Sequence, residues 1–151
     1  MATTGNVSLV VKDDQFLTRS KHGTIWGTIY FHISDNTFFP GTGWTDLVAA
    51  FVRVWLDQLQ RIARRTTTKE RVPFFDGPLF VDLSVLPEGL VELRFIHKEE
   101  VKTTVTVSIL DLLRNAESAA ESLLSMCYRK GWSNQDTEAL KGLLQSGRQI
   151  H

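Results

Sequence analysis

FFPGTGWTDLVAAFVRVWLDQL, residues 38–59, is a turn that runs into a helix. Asn36, Pro40, Gly41 and Gly43 are turn formers, and Pro40 holds Phe39 out of the α region. Thr42 or Thr45 offers a hydroxyl to cap the helix that follows. Asp46 then falls in its first turn, where a carboxylate suits the helix dipole. Beyond it Trp44, Leu47, Val48, Phe51, Trp55, Leu59 and Ile62 recur at spacings of three and four, and Val52, Leu56 and Ala63 widen the same face. Arg53, Asp57, Gln60, Arg61 and Arg64 lie on the other side. A stripe this wide predicts a helix packed on a sheet and flanked by a second helix, with Trp44 and Trp55 as anchors. Three consecutive threonines in RRTTTKE are poor helix formers and mark its end.

Upstream, Val7, Leu9 and Val11 alternate as in a short strand. In TIWGTIYFHIS, Ile25, Gly27, Ile29, Phe31 and Ile33 share one face, and Trp26, Tyr30 and His32 share the other. Bulk on both faces predicts a central or covered strand. Downstream, GPLFVDLSVLP, LVELRFIHK and VKTTVTVS alternate between an apolar set (Leu79, Val81, Leu83, Val85; Val91, Leu93, Phe95, His97; Val101, Val105, Val107) and a polar set. Short turns join them, which predicts an antiparallel meander. Ile109 to Cys127 carry a helical stripe opened by Ser108 and Asp111. Gly131 suits its left-handed cap, and Ser133 and Asp136 start a last helix with Leu140, Leu143 and Leu144. The expected fold is α+β, a two-layer sandwich of one antiparallel sheet of about five strands with helices on one face. The element order is ββ-α-βββ-αα, in a single domain over residues 1–151.

Composition narrows function mainly by exclusion. Of 151 residues 42% are hydrophobic and 23% charged, as in ordinary globular chains. Lys plus Arg and Asp plus Glu both total 17, which argues against a nucleic-acid partner, since such binders carry a basic stripe. Arg61, Arg64, Arg65, Lys69 and Arg71 form the most basic segment and read as a solvated helix end. The N-terminus shows neither a basic region nor an apolar core of a secretory leader. No apolar run is long enough to span a bilayer. The expectation is a cytoplasmic protein with no membrane partner. Cys127 stands alone, on the helical stripe, and reads as a buried thiol.

Phosphate-binding, dinucleotide-binding, nucleophile-elbow and zinc-helix motifs are all missing, so no cofactor is expected. His22, His32, His97 and His151 fit no metal spacing. His32, Asp35 and Asp46 could assemble a general acid–base site around the 35–46 loop, which is the enzyme or ligand-binding alternative. The leading expectation is instead a non-enzymatic protein-binding surface on the sheet: Trp26, Tyr30 and His32 on one strand, with Asp82, Glu92, Arg94 and Lys102 on the meander. Aromatics among mixed charges are typical of such surfaces. A homodimer through the exposed sheet face or an edge strand is a further alternative.

The 38–59 stretch also resembles a segment of small uncharacterised bacterial proteins of the polymorphic-toxin immunity type. The resemblance rests on Phe39, Pro40, Gly43, Trp44, Asp46 and Trp55: an aromatic-proline turn, a Gly-Trp-x-Asp entry and a tryptophan-bearing helix. It implies a protein that binds and neutralises a cognate toxin. It assigns no residue a binding role.

Overall fold

The computed structural model describes residues 5–12 and 14–148, so His151 lies outside the described residues. Its strands are β1 (Val7–Val11), β2 (Thr18–Arg19), β3 (Ile25–Ile33), β4 (Thr37–Phe39), β5 (Thr45–Asp46), β6 (Lys69–Pro73), β7 (Leu79–Leu86), β8 (Leu90–His97) and β9 (Glu100–Ser108). Its helices are α1 (Val48–Ala63), α2 (Ile109–Lys130) and α3 (Gln135–Gly147).

The α+β class and the helix-on-sheet layering stand. The strands, however, divide between two antiparallel sheets, of five and four strands, and do not join in one. The reason lies in the edges of the first sheet. β3 pairs with β1 along one side and with β5 and β4 along the other, and its first residues pair with β2. The free edge of β1 faces α2, whose Asn115 Oδ1 accepts a hydrogen bond from Leu9 N at 2.8 Å. With both margins occupied, the meander forms its own sheet in the order β6-β7-β8-β9. A backbone bond from Gly5 N to Thr106 O, 2.8 Å, ties the two sheets together.

The helices cover the inner faces. α1 packs on β3 and β6, α2 on α1, β1 and β9, and α3 closes over α1 and α2. The strand residues that alternate inward in the sequence are the buried ones: Ile25, Ile29 and Phe31 from β3; Val81 and Leu83 from β7; Val91, Leu93 and Phe95 from β8. Trp55 is fully buried at the centre. Its ring lies 4.9 Å from Phe31, and Phe31 lies 5.4 Å from Phe95, edge-on in both contacts, so α1 and the two sheets meet in one aromatic cluster. Gly27 permits this approach: a Cβ there would stand 2.6 Å from Leu17 Cδ2 and 3.1 Å from Val48 Cγ1. α3 is fastened to α1 by polar contacts, Arg53 Nε to Asp136 Oδ1 at 2.7 Å and the buried Gln60 Nε2 to Leu143 O at 2.7 Å.

Four local expectations are corrected. α1 starts at Val48, with Leu47 as its cap and no side-chain cap bond, so Trp44 and Asp46 precede the helix and neither Thr42 nor Thr45 caps it. Residues 69–73 form β6, an extra strand, so the basic 61–71 segment is split between a helix end and an edge strand. A register shift at Phe95/Ile96 in the β8–β9 ladder places Val101 opposite Ile96, on the outer face, where it is 46% exposed; a bulge reverses the alternation beyond it. The α3 cap is Asn134, in a reciprocal capping box with Thr137. The caps of α2 are as read: Ser108 Oγ accepts from Asp111 N, and Gly131 is left-handed at φ 70°.

The end of α1 carries strain. Arg65 N bonds Ile62 O and Thr66 N bonds Arg61 O, a Schellman closure with Arg65 in the left-handed position at φ 61°. Arg65→Gly is expected to raise the unfolding free energy by about 0.5–1 kcal/mol: left-handed strain of roughly 1–2 kcal/mol is relieved, less the extra entropy glycine loses on folding. Urea denaturation of the pair of proteins measures it.

Candidate functional site

Among the described residues Asp46 is the one carboxylate buried completely. It sits on β5 opposite Gly27, on the inner side of β3. Its Oδ1 accepts hydrogen bonds from Leu47 N (2.7 Å) and Phe75 N (3.2 Å). Its Oδ2 accepts from Trp44 Nε1 (2.9 Å) and Asp76 N (3.3 Å). The donors are one indole and three backbone amides, so the carboxylate ties the 38–46 turn, the start of α1 and the 74–78 loop at one point. The Trp44 ring completes the join: it stands edge-on to Phe74 at 6.5 Å, and a Cβ on Gly77 (φ 120°) would lie 3.3 Å from it.

The two tied loops wall a groove of about 570 Å³ at one end of the molecule. The 38–44 turn, with its cis Phe39–Pro40 peptide, forms one side. Pro78, Leu79, His97, Lys102 and Thr103 from the ends of β7, β8 and β9 form the other. Phe39 reaches inward to within 5.3 Å of Phe95. Phe38 and Phe75, 36% and 44% exposed, belong to the two tied loops. The groove lies between the 38–44 turn and one end of the four-stranded sheet, and none of His32, Asp35 and Asp46, the residues of the ligand-binding alternative, lines it.

The sequence candidates fall in three places. Trp26, Tyr30 and His32 do share the outer face of β3. Tyr30 is nonetheless only 6% exposed, edge-on to Phe38 at 5.8 Å with Lys12 Nζ 5.7 Å from its ring. His32 stacks on Phe38 at 4.8 Å, and its Nε2 lies 2.6 Å from Asp35 O. Asp82, Glu92 and Arg94 lie on the outer face of the four-stranded sheet, where no helix packs. There the charges answer one another: Arg71 holds Asp82 by two bonds, at 2.6 and 2.9 Å, and Arg94 holds Glu92 at 2.8 Å. Lys102 leaves that group and lines the groove, because it is the extra residue of the β9 bulge. His32, Asp35 and Asp46 are not brought together, since Asp46 is buried on the opposite side of β3 from His32. The 74–78 loop, FFDGP, was not singled out in sequence. Its partners lie some thirty residues away, and no local pattern announces them.

Among the described residues no group of three or more His, Cys, Asp and Glu side chains is placed to hold a metal ion, and no helix is long and apolar enough to cross a membrane. Cys127 is buried in the inner stripe of α2. Burial pushes its thiol above the usual range, and nearby Lys130 offsets this in part. The native chain is expected to leave a thiol reagent such as DTNB unreacted over minutes and to release one equivalent of thionitrobenzoate on unfolding. Rapid reaction of the folded chain is the contrary result.

Compared with protein-family models, curated proteins and solved structures, the chain matches none.

Proposed function

We propose that this chain is a protein-binding module of the immunity type, which binds a cognate bacterial toxin and blocks it. The observation that carries the reading is the tied groove. It is a concave, aromatic-lined surface with Phe38 and Phe75 exposed on its two fastened loops, set on an otherwise well-packed domain. Exposed apolar side chains gathered on a rigid support are the usual anchors of protein interfaces. A surface fixed before binding loses little entropy when it is covered. The resemblance of the 38–59 stretch to immunity-type proteins points the same way.

The test is co-expression with the product of a neighbouring toxin-like reading frame. The expected result is rescue of growth and a stable complex on size exclusion. Unrelieved toxicity, with the two chains eluting apart, would overturn the assignment. One observation favours a second reading, a small-ligand site: the groove volume falls within the range of roughly 300–1,000 Å³ usual for such sites. A metabolite retained through purification and displaced by Trp44→Ala would favour it.

A further inference from the structure

We infer that the groove receives an extended, acidic segment of the partner, with one large apolar side chain seated against Phe39, Pro40, Trp44 and Pro78 and a carboxylate set on Lys102. This rests on the binding-module reading and specifies the chemistry of its partner.

The lining decides the sign of the charge. Lys102 is on the lining and no carboxylate is. Lys102 Nζ lies 3.2 Å from Glu100 Oε2. Both side chains of that pair are exposed to water, so the pair is weak and an incoming carboxylate can replace Glu100. The outer face of the four-stranded sheet offers no such demand, because its arginines are already matched by Asp82 and Glu92. An acidic chain therefore gains charge contacts at the groove that it does not gain there.

The apolar half of the lining decides the anchor. Trp44 is held by its bond to Asp46 and its contact with Phe74, so its exposed face is fixed before anything binds. The strand edges decide the shape of the guest. Among the described residues β4 pairs with β3 alone, and β9 pairs with β8 alone over Glu100–Thr104. Each flanks the groove and leaves main-chain groups free to bond an added strand. The bulge and Lys102 on β9 also guard that edge against pairing with a second copy, and an acidic guest turns the guard lysine into a contact.

The experiment pans a phage-displayed library of random dodecapeptides against the full chain. The strongest enriched peptide is then titrated into the isotopically labelled protein and followed by amide NMR shifts. The expected outcome is enrichment of peptides that combine aspartate or glutamate with one aromatic or large aliphatic residue, and shifts centred on residues 38–44 and 97–103. Lys102→Glu should weaken that peptide by about tenfold or more by turning attraction into repulsion, and Lys102→Arg should keep most of the affinity. Unchanged melting of both variants shows that the fold is intact. Neutral or basic winners, no enrichment at all, shifts elsewhere, or indifference to Lys102→Glu would each overturn the inference. These failures leave the co-expression result untouched, so the two readings fail separately.

Discussion

Replacing Asp46 by alanine is expected to lower the unfolding free energy by about 3–5 kcal/mol. The side chain is wholly buried and accepts four hydrogen bonds, from Trp44 Nε1 and from the backbone of Leu47, Phe75 and Asp76. A hydrogen bond to a charged group contributes roughly 1.5–3 kcal/mol, and an unmatched buried donor costs about 1–3. Water reaching the loop end recovers part of that loss, which keeps the total below a simple sum. Whole-domain stability is typically about 5–15 kcal/mol, so the variant would be marginal. Asp46→Asn should fall between the two proteins: its amide oxygen can serve two of the donors, but its NH2 group must face the other two. Urea denaturation of the three proteins supplies the comparison. A loss under about 1 kcal/mol for the alanine variant would mean that these bonds are not made in solution.

The second large effect lies at Trp55. Trp55→Ala should cost about 3–5 kcal/mol, as truncations of large buried aromatics do. Trp55→Phe should cost far less, about 1 kcal/mol. Among the described residues the buried indole Nε1 meets no hydrogen-bond partner, and removing that unmatched donor offsets much of the cavity left by the smaller ring. The packing that phenylalanine keeps is the edge-on contact with Phe31 and the stacked one with Phe51. Equal losses for the two variants would show that the indole's shape, or an undetected partner for its N–H, sets the stability there.

These two residues also show what can be read from sequence and what cannot. Trp55 was legible, because a period of three to four over Phe51, Trp55, Leu59 and Ile62 needs only local information. The outward set Trp26, Tyr30 and His32 was legible for the same reason, from a period of two. Asp46 was not. It stands next to a helix start and carries the right charge for one, and the donors that reveal its actual role come partly from Phe75 and Asp76. β6 was hidden because KERVP alternates poorly and ends in proline, which is tolerated at an edge strand. Val101 and Lys102 were assigned faces by strict alternation, and one bulge reversed both. The division into two sheets depends on which strand edges are already covered. The cover is long-range, as in the Asn115 bond to Leu9. The groove belongs to the same class of feature: its walls come from the 38–44 turn and from distant residues between Pro78 and Thr103.

The proposed recognition surface lies at the end of the domain tied by Asp46, and not on the outer sheet faces. Hydrogen–deuterium exchange on the chain, alone and in complex with the partner that rescues growth, tests it most directly. Added protection is expected in residues 38–44 and 97–103, with the edge strand β6 unchanged. Protection confined to β6 and β7, or to α2 and α3, with the 38–44 turn exchanging as fast as in the free chain, would contradict it.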